Sequence, residues 1–131
     1  MPFKIRVSRQ SGYVHVHVDG PSCIKDFVEL ISSVGQETAL WSDRRLIVDL
    51  REVQGELSPP EQTFVGELVA QELAHIQRLA SIVRPGQVTR NSENAAQQLG
   101  AELRVFDSEN DAVNWIKGVK VEPADVPRAV A

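Results

Sequence analysis

Cysteine is nearly absent: Cys23 is the only one in 131 residues. No intramolecular disulfide can form, which fits a reducing compartment. Aromatic residues make up 5% of the chain, and Arg44, Arg45 and Arg51 are too few for a nucleic-acid surface, so a basic groove with interleaved stacking rings is not expected. Excess positive charge is missing too, since the formal net charge is -4 and the pI is about 5.3. This balance argues against a broad nucleic-acid surface. No long apolar run follows Met1-Pro2-Phe3-Lys4, so neither a signal peptide nor a spanning helix is expected, and a cytoplasmic location is. A Gly-rich phosphate loop with its lysine is lacking, and so is a dinucleotide fingerprint. No histidine can be assigned to Cys23 as a base, and that thiol reads as a core or half-buried residue. The expectation is a protein without enzymatic activity or cofactor.

What is present is organised around Arg45-Leu46-Ile47-Val48-Asp49-Leu50. This short run is apolar on both faces and bounded by charges, the pattern of a buried strand in a parallel sheet. Before it, Phe3–Ser8 and Tyr13–Val18 alternate around the link Arg9-Gln10-Ser11-Gly12, which predicts a hairpin partly open to water. Asp19-Gly20-Pro21 should end that second strand, with Ser22 capping a helix that carries Ile24, Phe27, Val28, Ile31 and Val34. After the central strand, 51–57 reads as a loop. Ser58-Pro59-Pro60-Glu61 then forms a capping box with proline at the first helical position. The helix should bury a stripe of Phe64, Val65, Leu68, Val69, Leu73 and Ile76 and end near Ile76. Strands at Leu79–Val83 and Leu103–Phe106 flank a short helix over Ser92–Leu99 that Gly100 terminates. Ser108 and Asp111 open a last helix through Trp115 and Ile116, closed by Gly118.

The order is β-β-α-β-α-β-α-β-α. It predicts an α/β fold with a single mixed, mostly parallel sheet covered by helices, the N-terminal strand being the antiparallel member. One domain should span residues 1–118, with 119–131 as a tail that is loose or packed against a partner.

Ligands of open α/β sheets gather beyond the carboxyl ends of the strands. Asp49 ends such a strand. Its expected neighbours are the 51–57 loop and the 84–91 loop, where Arg84, Gly86, Thr89 and Arg90 precede a helix N-terminus suited to an anion. The competing reading is a turn hydrogen bond at Asp49 and solvated arginines. His15 and His17 share one strand face, but a metal site wants three or four ligands and no third is marked, so both read as solvated and no metal is expected. His75 reads as closing a helix near its C-terminus.

The stretches Leu46–Leu50, Phe64–Leu73 and Arg78–Val83, with Ala95-Ala96, Gly100 and Val105-Phe106 through Ala112 to Trp115-Ile116, resemble the SpoIIAA-like family of the STAS fold group. That group is related in shape to the lipid-carrying CRAL-TRIO proteins. The resemblance covers about residues 3 to 117. It implies a regulatory module that docks onto another protein through the 51–61 segment, with Val53 and Leu57 as exposed apolar contacts. It also implies, through the CRAL-TRIO relation, an alternative: a carrier or sensor of a small apolar or lipid-like ligand held between a helix and the sheet. Anti-sigma-factor antagonists carry a phosphorylated serine where Ser58 stands. Leu57 before it and Pro59-Pro60 after it replace the acidic residue, second serine and glycine of that setting, which disfavours a phosphorylation switch. A protein partner, a second copy of the chain or a small apolar ligand are the expected partners.

Overall fold

The computed structural model describes residues 3–42 and 44–118. The expected tail, 119–131, and Asp43 lie outside them. Nine elements follow in the expected order: β1 (Lys4–Gln10), β2 (Tyr13–Pro21), α1 (Ile24–Thr38), β3 (Arg45–Gln54), α2 (Pro59–Glu72), β4 (Arg78–Ile82), α3 (Asn91–Gln98), β5 (Leu103–Phe106) and α4 (Glu109–Ile116). The five strands form one sheet in sequential order. β1 pairs antiparallel with β2, and all other pairs are parallel.

Strands added in chain order through right-handed crossovers place every crossover helix on the same face of the sheet. The core agrees. On one face Val14, Val16, Val18, Leu46, Leu79 and Leu103 meet Phe27, Leu30 and Ile31 of α1, Val69 and Leu73 from α2 and its cap, and Ala96 of α3. On the other, Tyr13, Ile47, Ala80, Ile82 and Phe106 meet Ala112, Trp115 and Ile116 of α4. Leu46 and Ile47 are both fully buried, on opposite faces. Each contributes about 1.5–3 kcal/mol relative to an exposed position.

Several boundaries differ from expectation. β2 does not stop at Asp19; after a register shift between His17 and Asp19 it runs on to Pro21, paired with Glu52, Val53 and Gln54. β3 therefore extends four residues beyond Leu50, where a loop was expected. Cys23, not Ser22, is the N-cap of α1; it makes no side-chain cap bond and is exposed, not half-buried. α2 ends at Glu72. His75 lies beyond it and ties its Nε2 to Thr38 Oγ1 at 2.7 Å, linking the α2 end to α1. Phe64 does not join the buried stripe but is 46% exposed.

Gly35 sits inside α1, where glycine weakens a helix. A Cβ there would stand 2.7 Å from the Glu72 carbonyl oxygen, so the missing side chain lets α1 and α2 cross closely. Gly66 does the same against the Ser92 backbone, where a Cβ would overlap the chain. The capping box of α2 is complete: Glu61 N–H donates to Ser58 Oγ, and Ser58 N–H to Glu61 Oε1. Ser108 likewise accepts from Asp111 N–H at the start of α4.

Candidate functional site

The carboxyl ends of the strands carry two candidate sites, one on each face. Side chains alternate along a strand, so Asp49 falls on the α4 face and Leu50 on the α1–α3 face; the register shift after His17 and Asp49 returns Val53 to the α1–α3 face.

On the α4 face, the parallel register sets His17 opposite Asp49. His15 Nε2 lies 3.2 Å and His17 Nδ1 3.7 Å from Asp49 Oδ2. The two imidazoles stack with centroids 4.1 Å apart. A carboxylate only accepts, so His15 donates its Nε2–H to Asp49. Arg51 grips the same carboxylate with Nε on Oδ1 at 2.9 Å and Nη2 on Oδ2 at 2.6 Å. Its Nη2 also reaches Glu109 Oε1 of α4 at 2.7 Å. Burial alone would raise the Asp49 pKa; the hydrogen bonds from the Arg51 side chain and backbone, and from His15, outweigh it and hold the carboxyl at about 2. For Arg51 the bond to Asp49 raises the pKa further above its ordinary value. Burial lowers the His17 pKa, and His15 adds to the effect against the opposing pull of Asp49. Tyr13, at the near end of the same face, has its phenol pushed up by burial and by Glu109.

On the other face, a pocket of about 130 Å³ opens between α2, α3 and the sheet. Its walls include Phe27, Leu50, Val53, Val65, Leu103 and Val105, and its rim includes Leu57, Gln62, Gln87 and Thr89. Gln62 Oε1 accepts from Thr89 Oγ1 at 2.7 Å and from Asn91 Nδ2 at 2.8 Å, while Gln62 Nε2 donates to the Leu57 carbonyl. The rim is thus stitched across from α2 to the loop before α3.

The residues singled out in the sequence are therefore divided. Asp49 does not share a site with the 84–91 loop; the sheet lies between its side chain and the pocket that Gln87 and Thr89 line. Arg84 is bonded to Gln87. Arg90 is held by Glu93 Oε1 at 2.8 Å, an oxygen that also accepts from Val105 N–H. Val53 is 5% exposed and part of the core, which corrects its expected role as a surface contact. Leu57 is half-buried against that core. Ser58 is the exposed cap of α2. His15 is buried, not solvated. Reasoning from sequence missed Arg51 and Glu109, which are 58 positions apart and meet only through the packing of α4. Among the described residues, no serine or cysteine is hydrogen-bonded to a histidine; the one hydroxyl that is belongs to Thr38. No helix among them is long and apolar enough to cross a membrane.

A mixed sheet in the order found, three crossover helices on one face and a C-terminal helix on the other, defines an α/β domain of the STAS type. The chain belongs to the SpoIIAA-like family, whose sequence model matches residues 13–117. Its fold is similar to that of an uncharacterized protein with a SpoIIAA-like fold from Shewanella loihica, with a TM-score of 0.55 and 17% identity over 88% of this chain and 94% of that one. It is also similar to an anti-sigma factor antagonist from Mycobacterium paratuberculosis, with a TM-score of 0.62 and 16% identity over 88% of this chain and 94% of the other. No curated protein matches the chain.

Proposed function

We propose that the chain is a non-catalytic regulatory module of the cytoplasm, one domain over residues 1–118, that binds a small apolar ligand in the pocket between α2, α3 and the sheet. The observation that carries this reading is the pocket itself: apolar walls, a few polar groups at the rim and a position at the strand ends, the features of small-molecule sites. Its volume of about 130 Å³ favours a small ligand. A dry cavity of about 150 Å³ holds one benzene, so the ligand is a short branched or aromatic group and not a long acyl chain. Hydrogen bonds between Gln62 and the loop before α3 close the rim, and their opening admits the ligand.

Native mass spectrometry of protein purified from its own host, paired with methyl NMR of the chain titrated with benzene and indole, tests this. A retained small molecule, or shifts confined to Val53, Val65, Leu103 and Val105 that Val65→Trp abolishes, is the expected result. An empty protein whose pocket methyls respond to neither probe overturns it.

A second reading is direct docking of a protein at the start of α2, beside Leu57 and Ser58. Phe64, 46% exposed there, favours it, as does the description of the mycobacterial relative as an anti-sigma factor antagonist. Ser58 serves in this reading as a helix cap and not as a phosphate acceptor. A defined partner from the host that Phe64→Asp releases is the expected result, and equal recovery with Phe64→Asp removes the reading.

A further inference from the structure

In the stretch Leu79-Ala80-Ser81-Ile82-Val83, Ser81 is the one polar residue. Strands of a parallel sheet covered on both faces are near-continuous apolar runs, so a serine in the middle of one calls for a reason. Its neighbours on the sheet are apolar. Leu79 and Val83 share its face, and Val48 of β3 and Val105 of β5 stand beside it in the parallel register. This is the face of the pocket, and Ser81 lines it. Its side chain is half-buried and has no hydrogen-bond partner among the described residues.

The polar groups of the rim are bonded to one another. Gln62 uses both ends of its amide, Thr89 donates its hydroxyl to Gln62, and Gln87 Oε1 accepts from Arg84. Ser22 and Ser92 also line the pocket, but they stand before α1 and in the first turn of α3, where serine is favoured for local reasons. A serine in mid-strand has no such local role. Left without a partner among apolar side chains, its hydroxyl costs free energy. We infer that Ser81 Oγ is the hydrogen-bonding point for the pocket's ligand, a small aromatic or branched molecule that carries one uncharged polar group. This rests on the pocket reading above and adds to it the polar end of the ligand.

A hydroxyl both donates and accepts, so a phenol, an alcohol or an indole N–H satisfies it. The ligand's polar group is uncharged because Glu56 is the only charged lining residue among those described and is exposed. A charge held at Ser81 would be buried among valines without a counter-charge.

The test is titration of the full-length chain at pH 7 with benzene and with phenol, followed by methyl NMR and calorimetry. The two probes differ by one hydroxyl, and phenol is uncharged at that pH, its pKa being about 10 as in tyrosine. Both are expected to bind. Ser81→Ala is expected to weaken phenol about 3- to 10-fold relative to benzene, with a melting temperature equal to that of the unaltered chain or higher. Ser92→Ala is expected to leave the phenol-to-benzene ratio unchanged. Benzene binding without phenol binding, or a ratio that Ser81→Ala does not alter, overturns this inference while the pocket reading stands. A ratio that shifts in Ser92→Ala instead does the same. A clearly lower melting temperature in Ser81→Ala also overturns it, because the hydroxyl is then bonded within the protein. Pocket methyls that respond to neither probe overturn the pocket reading and this inference together.

Discussion

The two faces of β2 differ although they belong to one strand. Val14, Val16 and Val18 point under α1 and α2 and are almost completely buried. Tyr13, His15 and His17 point the other way, where among the described residues only α4 covers the sheet. An eight-residue helix such as α4 is about 12 Å long and about 10 Å wide. Five strands at about 4.8 Å spacing are wider than that. α4 reaches β3, β4 and β5, and among the described residues no other helix packs on this face. The face therefore changes from Ile47 and Trp115 to a charged network of His15, His17, Asp49, Arg51 and Glu109. The lesson is that coverage, more than strand composition, sets what a sheet position can do.

Removing the anchor of the thinner face should have the largest effect. Trp115 packs on Phe106 and lies under the Arg78 and Arg104 guanidiniums. Trp115→Ala is expected to cost about 3–5 kcal/mol in urea unfolding, enough to leave most of the chain unfolded if α4 is all that seals this face. Leu73→Ala, on the three-helix face, is expected to cost about 2–5 kcal/mol while leaving the His15 and His17 ring resonances unchanged. If it disturbs those resonances, the two faces are not independent.

The polar end of the thin face can be probed by pH. The Asp49 carboxyl is depressed from 3.8 to about 2 when folded. Its contribution is complete above pH 3.8 and is lost as pH falls through about 2. The difference corresponds to roughly 2 kcal/mol. Asp49→Asn should flatten stability over that acid range and lower it at neutral pH by a similar amount. A variant with the same acid unfolding curve as the unaltered chain would show that the network is not held by this carboxylate. The smallest change is expected at Ser58, remote from both cores: Ser58→Ala should lower the melting midpoint by about 1 kcal/mol equivalent through loss of the cap. A much larger loss would tie the start of α2 to the pocket beneath it.

Much of the fold was legible in the sequence because its signals are local. The capping box at Ser58, the serine cap at Ser108, the alternation around Gly12 and the apolar run at Leu46–Leu50 depend on neighbours within a few residues. The misjudged places depend on distant ones. Asp19-Gly20-Pro21 carries strand-breaking residues, yet it pairs with Glu52–Gln54 because β3 continues alongside it. Gly35, inside α1, owes its place to α2, whose Glu72 carbonyl a Cβ there would meet at 2.7 Å. Val53 read as an exposed loop residue because Arg51, Glu52 and Gln54 around it are polar, and the added length of β3 turns it inward.

The sequence by itself determined the elements, their order and the mixed sheet, because periodicity, caps and turn residues act over a few bonds. It also named Asp49, His15 and His17 separately. Only the tertiary structure decided that they meet. Their contact requires β2 and β3 to pair in parallel with His17 beside Asp49, and it requires α4 to bring Glu109 to Arg51. It also decided that Asp49 and the apolar pocket lie on opposite sides of the sheet. Strand register shifted by one residue would exchange the two faces, and that register is set by the combined packing of four helices, which no short stretch of the chain encodes.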